Sequence, residues 1–124
     1  MNAILYRTNA FNIDKKMIDC NSGSREIDVS RIIYIESCGH NATYHIHGKE
    51  SGDYVVKSKL DDIENELKEY KYLLRVHQSY IVNMMYVNNI SSYRVHLKNG
   101  IDLGVPKSRY KEVKKRILEF KENN

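Results

Sequence analysis

Leu74-Arg75-Val76-His77-Gln78-Ser79-Tyr80-Ile81-Val82-Asn83 is the stretch whose reading decides the fold. Leu74, Val76, Tyr80 and Val82 share one parity, as on the buried face of a strand. Arg75, His77, Ser79, Ile81 and Asn83 share the other, and Gln78 interrupts the apolar set. The broken alternation predicts strand, bend, strand, with polar side chains pushed outward at His77-Gln78-Ser79. A core strand has no use for Arg, His, Gln, Ser and Asn so close together. Either something outside the fold or a buried polar network requires them.

Working outward, the neighbouring segments read mostly as short strands. Met17 to Cys20 and Arg25 to Val29 flank the turn signal Asn21-Ser22-Gly23-Ser24. Ile32 to Glu36 is almost continuously apolar, as in a buried strand. Ser37-Cys38-Gly39-His40-Asn41 interrupts it, and Ala42 to His47 resumes. Asp53 to Lys57 is another strand. Then the period changes: Leu60, Ile63 and Leu67 follow at helical spacing with acidic residues between them, and Ser58 with Asp61 forms a loose capping box. After the central stretch, Val87 to Ile90 and Tyr93 to Leu97 read as strands. Lys98-Asn99-Gly100 predicts a hairpin with a type I′ turn, and Ile101 to Val105 returns before Pro106 breaks the strand. From Lys107 the pattern is helical, with Tyr110, Val113, Ile117 and Phe120 as a narrow apolar stripe among basic residues. The expected fold class is mainly β: an elongated sandwich of short antiparallel strands with one short internal helix and a C-terminal helix. Residues 1–15 have no sustained period. They read as a linker or terminal extension, with a tag remnant and a short edge strand around Ile4–Tyr6 as alternatives, and residues 16–124 form the domain.

Composition sets outer limits. A chain of 124 residues is one domain that buries a core without staples. A net charge of +4 permits a polyanionic partner without requiring one. No apolar run approaches the roughly 18 residues a membrane span needs, so no membrane partner is expected. Cys20 and Cys38 are too few for a disulfide framework, which makes a reducing cytoplasm the expected compartment.

Enzyme chemistry finds little support. There is no Gly-rich phosphate loop, no Cys-x-x-Cys and no His-Glu-x-x-His. Ser79 lies near His77 without an evident orienting acid. No catalytic residue, cofactor or metal site is therefore assigned. Cys38, His40, His45 and His47 leave a metal-dependent enzyme as a minor alternative, since His45 and His47 share a strand face. Nucleic-acid binding fits better. His40-Asn41, His77-Gln78-Ser79 and Lys107-Ser108-Arg109 fall at interruptions of a β framework, and these side chains suit base edges and phosphates. A β-rich module binding a protein or peptide along a strand edge remains the other reading.

Arg75-Val76-His77-Gln78-Ser79-Tyr80-Ile81-Val82-Asn83 resembles the signature of the LytTR family: Arg-Val/Cys-His, a variable residue, then Ser-Tyr/Phe-hydrophobic-Val-Asn. Ile32 to Glu36 with Gly39, Val56 to Leu60 with Ile63 and Leu67, and Leu103 to Lys107 with Tyr110 and Val113 resemble its other blocks. The resemblance covers roughly residues 17 to 120. It implies a DNA-binding output domain of a bacterial transcription regulator, as in two-component response regulators. Its loops would enter successive major grooves of double-stranded DNA, commonly at direct repeats. It leaves room for an upstream receiver domain and for a homodimer on DNA.

Carried over residue by residue, the resemblance implies base contacts from Gln78 and Lys107, and from Asn41 with His40 as a helper. Arg75, His77, Ser79, Ser108 and Arg109 would touch the DNA backbone or support the site. Two departures matter. Pro106 stands where many members have Ser, and Lys107 where many have Arg, so the fork that reads guanine is replaced by a point charge. Arg75, His77 and Asn83 also have plain structural uses as hydrogen-bonding residues that hold the fold.

Overall fold

The computed structural model describes residues 14–48 and 53–123. The segment considered for a strand around Ile4–Tyr6 lies outside them. Within them run β1 (Lys15–Cys20), β2 (Gly23–Asp28), β3 (Ile32–Cys38), β4 (Asn41–Ile46), β5 (Tyr54–Val56), α1 (Leu60–Glu66), β6 (Leu73–His77), β7 (Tyr80–Asn83), β8 (Val87–Ser91), β9 (Arg94–Leu97), β10 (Asp102–Gly104) and α2 (Lys107–Glu122). Single 3-10 turns, Val29–Arg31 and Met84–Tyr86, link β2 to β3 and β7 to β8. The chain is thus mainly β with two helices, as the sequence pattern predicts.

The strands form a seven-stranded sheet, ordered β2-β1-β5-β4-β3-β7-β6, and a three-stranded sheet, ordered β10-β9-β8. Every pairing is antiparallel. The large sheet is apolar on both faces. Ile35 and Ile81 join Ile18, Ile32, Ala42 and Tyr44 in a core closed by Leu60, Ile63 and Leu67 of the α1 region. Tyr34, Val76 and Val82 face the other way. They pack against Val87, Val95, Leu97 and Leu103 of the small sheet and Val113 and Ile117 of α2. This two-sided burial explains the central stretch. Its two parities both point inward, toward different cores.

The turns differ in detail from the sequence-based expectation. Ser58 does not cap α1: the cap position is Lys59, without a side-chain bond, and the Ser58 hydroxyl donates to the Lys59 carbonyl at 3.4 Å. The Asn99-Gly100 hairpin forms, but not as a type I′ turn, because among the two only Gly100 has positive φ, at 90°. Gly100 N–H donates to Leu97 O at 3.0 Å and Leu97 N–H to Ile101 O at 2.8 Å. That is a three-residue loop with a left-handed glycine last. The paired positive φ angles that define type I′ occur instead at Ser92 (52°) and Tyr93 (61°), between β8 and β9. Tyr93 is therefore a turn residue and not the start of a strand.

Among the described residues, Asn83 is the buried polar residue of the core, fully enclosed at the end of β7. Its Nδ2 donates to Ser30 O at 3.0 Å, and its Oδ1 accepts from Met85 N–H at 2.9 Å. One amide thus joins the two 3-10 turns. Asn83→Ala is expected to lower unfolding free energy by about 1–3 kcal/mol, since it leaves a buried carbonyl and amide without their partner. Urea titration at unchanged m-value checks this.

Candidate nucleic-acid interface

The polar interruptions in the sequence become two tight turns at one end of the large sheet. β3 and β4 pair up to Cys38 opposite Asn41, so the expected loop from Ser37 to Asn41 shrinks to Gly39-His40. Gly39 takes φ 64°, the left-handed angle that a first position in such a short hairpin demands. His40 is left exposed at the tip. Asn41 is the first residue of β4 and half-buried, while Ala42 is fully buried and out of reach. Between β6 and β7, His77 pairs with Tyr80, and Gln78-Ser79 make the turn.

That second turn has no left-handed residue. A two-residue hairpin of ordinary φ tends to splay its strands. Two devices counter this here. The register shifts between Arg75 and His77, a bulge that adds twist. The Arg75 side chain then ties the loop shut from below. Its Nε donates to His77 O at 2.8 Å and one terminal nitrogen to Gln78 O at 2.6 Å. The other terminal nitrogen meets Asp61 at 3.0 Å and Glu64 at 2.7 Å on α1. His77 contributes from within the turn: its Nδ1 accepts from Ser79 N–H at 2.9 Å. Arg75 and His77 thus occupy support positions, consistent with their structural reading.

The two turns are locked side by side. Ser37 N–H on β3 donates to Ser79 O at 2.9 Å. Strand spacing of about 4.8 Å then sets the two tips roughly 10 Å apart, close to the width of a major groove. His40 and Gln78 are exposed on these tips, and no hydrogen bond engages their side chains among the described residues.

Helix α2 brings the third cluster. Arg116 lies beside Leu73 and Leu74 at the start of β6, and Phe120 and Lys121 lie beside Met84 just beyond β7. The C-terminal half of α2 therefore lies by the far end of that hairpin, and its N-terminus lies beside the Ser92-Tyr93 turn, with Lys107 Nζ over the Tyr93 ring. Pro106 occupies the N-cap position and offers no capping side chain, and the first turn has no acid. Lys107, Ser108 and Arg109 are exposed there. Unsatisfied amides at the start of a basic helix favour an anion.

The histidines around Cys38 do not assemble. His45 Nδ1 lies 2.7 Å from Asp53 and its Nε2 3.1 Å from Glu36, with its ring stacked on Tyr34 at 4.2 Å. Burial first, then the Glu36 and Asp53 charges, push the Tyr34 phenol up. His47 packs on Tyr86 instead. Among the described residues no group of His, Cys, Asp and Glu is placed to hold a metal ion, and no helix is long and apolar enough to cross a membrane. The feature the sequence did not signal is the Ser92-Tyr93 turn beside Lys107, because neither residue is the Gly or Asn that marks such turns.

Three comparisons bear on the arrangement. The family model of the LytTr DNA-binding domain matches residues 22–118. Among solved structures, the chain resembles the LytTr DNA-binding domain of a response regulator from Bacillus cereus. The TM-score is 0.65 at 18% sequence identity, covering 85% of this chain and 96% of that one. At that identity the likeness speaks for the fold. No curated protein matches.

The clamp on the Gln78 turn is open to test. Asp61 and Glu64 are well exposed and return readily to water, so the two turn carbonyls dominate the cost of losing Arg75. Arg75→Ala is expected to destabilise by about 1–3 kcal/mol, and Arg75→Lys to recover little of it, because an ammonium lacks the fork. Amide hydrogen exchange at Gln78 and Ser79 should quicken in both variants.

Proposed function

The chain belongs to the LytTr DNA-binding domain family, and from that premise we propose that it reads double-stranded DNA in a sequence-specific way, as the output domain of a bacterial transcription regulator. The observation that carries this reading is the Ser37–Ser79 backbone bond, which holds two tight turns together with His40 and Gln78 outward. In the proposed mode the loops enter successive major grooves, these two turns in one and the start of α2 toward the next. Gln78 bonds a base edge, adenine being the match for its amide. His40, with Asn41 beside it, reads from the neighbouring turn. Lys107, Ser108, Arg109 and the free amides of α2 meet the backbone or an adjacent base, and Arg75, His77 and Ser79 keep the Gln78 turn in shape. Phosphate contacts supply much of the affinity, and the few base contacts set the sequence. Direct-repeat targets, an upstream receiver domain, pairing of two copies on DNA and a cytoplasmic setting belong to the same proposal.

A strand-edge peptide module is the competing reading. β2 is an edge of the large sheet, but it presents Ser24, Arg25 and Glu26 to solvent. Charged residues on an edge discourage strand addition.

Selection from a random duplex pool at two salt concentrations tests the proposal. An enriched motif whose binding fades at higher salt supports it; absence of binding at either salt overturns it. On the enriched duplex, Gln78→Ala is expected to cost about 1–3 kcal/mol while barely changing binding to unrelated duplex. Equal losses on both would make Gln78 a backbone contact. Lys107→Ala should weaken binding to every sequence and flatten the salt slope by about 1. An unchanged slope would take Lys107 off the phosphates.

A further inference from the structure

The β8–β9 hairpin turns through Ser92 and Tyr93 alone, both left-handed at φ 52° and 61°. Neither is glycine, and a bulky residue in this region is strained. Asn-Gly would make the same turn without that strain. What the strained turn does is place one side chain. Tyr93 is 47% exposed, so burial does not account for it. Its ring lies 4.5 Å from that of Tyr110 on α2, and the Lys107 ammonium sits 6.0 Å from its centroid. Lys114 lies 5.9 Å from the Tyr110 ring on the same helix. The Tyr93 carbonyl accepts from Val105 N–H at 2.9 Å, which fixes the turn against the strand leading into Pro106 and α2. Among the described residues no acid pairs with Lys107 and no hydrogen bond engages the Tyr93 phenol.

We propose that Tyr93 is a DNA-backbone contact, its phenol and the Lys107 ammonium bracketing a single phosphate beside the N-terminus of α2. This rests on the DNA-binding reading and extends it to a turn outside the three polar clusters. The chemistry suits a phosphate. Tyr93 supplies an O–H donor on a rigid ring, and Lys107 supplies charge with no competing carboxylate in contact. The Tyr110 ring buttresses Tyr93 from behind and limits its freedom, so little is lost on ordering it. The two strained residues hold this pair in place before DNA arrives, in keeping with strain being retained where it positions a functional group.

The test uses Tyr93→Phe, which keeps the ring, its packing on Tyr110 and its place over Lys107, and removes only the hydroxyl. Binding is measured on an unrelated mixed-sequence duplex and on the duplex enriched by selection. Tyr93→Phe is expected to weaken both by the same factor, about 3–10-fold, with an unchanged thermal midpoint. In a Lys107→Ala background the same change should cost less than in the wild type, because the two groups share a phosphate. Unchanged affinity overturns the proposal. So does loss on the enriched duplex alone, which would mark a base contact, and so do strictly additive effects with Lys107. If the wild-type chain binds neither duplex, the DNA reading itself falls and this inference with it. If it binds and only Tyr93→Phe is silent, this inference alone falls.

Discussion

A single guanidinium connects the scaffold to the exposed turn at Gln78-Ser79. The Arg75 side chain is 8% exposed, and a charge so enclosed must be paired and bonded to persist. Four of its donor contacts are made, two to turn carbonyls and two to carboxylates of α1. The bonds run in different directions, so they fix position as well as energy. α1 seats on one face of the large sheet through Leu60 and Ile63, and its outer acids then present a landing point for Arg75. The guanidinium in turn holds the His77 and Gln78 carbonyls down. The Gln78 side chain is left as the free end of an otherwise bonded turn.

The same logic explains why the signature stretch is so polar for a sheet interior. Three of its polar residues, Arg75, His77 and Asn83, answer backbone problems created by tight turning. Arg75 covers two carbonyls, His77 takes the Ser79 amide, and Asn83 caps the next 3-10 turn while reaching back to Ser30. An Asp28 carboxylate performs the matching cap on the earlier 3-10 turn, accepting from Ser30 N–H at 3.0 Å. Buried polar groups that are fully satisfied specify one arrangement rather than merely adding stability. The choice the sequence left open, between an outside partner and a buried network, resolves by position. The network accounts for Arg75, His77 and Asn83, and Gln78 remains over.

Legibility followed the strength of each local signal. Leu60, Ile63 and Leu67 at helical spacing, and Val113 with Ile117, were readable because buried faces impose their period on sequence. The β order and the pairing of β3 with β7 were not, since antiparallel partners far apart in the chain leave no local mark. Ser58 looked like a cap because of its spacing to Asp61, yet its hydroxyl turns to the Lys59 carbonyl and the helix starts one residue later, with Lys59 at the cap. Asn99-Gly100 signalled a hairpin correctly and its turn type wrongly, because one left-handed glycine in a three-residue loop satisfies the same strands. Ser92-Tyr93 gave no signal at all. Its conformation is imposed by the pairing of β8 with β9 and by the Tyr93–Val105 bond, against the residues' own preference.

In the proposed DNA-binding mode, the short turns carry a consequence for recognition. A two-residue hairpin has almost no freedom to adapt, so His40 and Gln78 sample only their own side-chain rotamers. Rigid presentation lowers the entropic cost of binding and sharpens rejection of a wrong base, because a misplaced amide cannot relax toward another partner. It also shifts the burden of fit onto the duplex. Where the roughly 10 Å between the tips does not match the groove, DNA must widen or bend, and the ease of doing so depends on sequence. In the proposed mode, specificity would therefore come partly from base pairs that no side chain touches. In that mode the fixed turns would set how much deformation is demanded, and the basic start of α2 would set how strongly the backbone is held while it occurs.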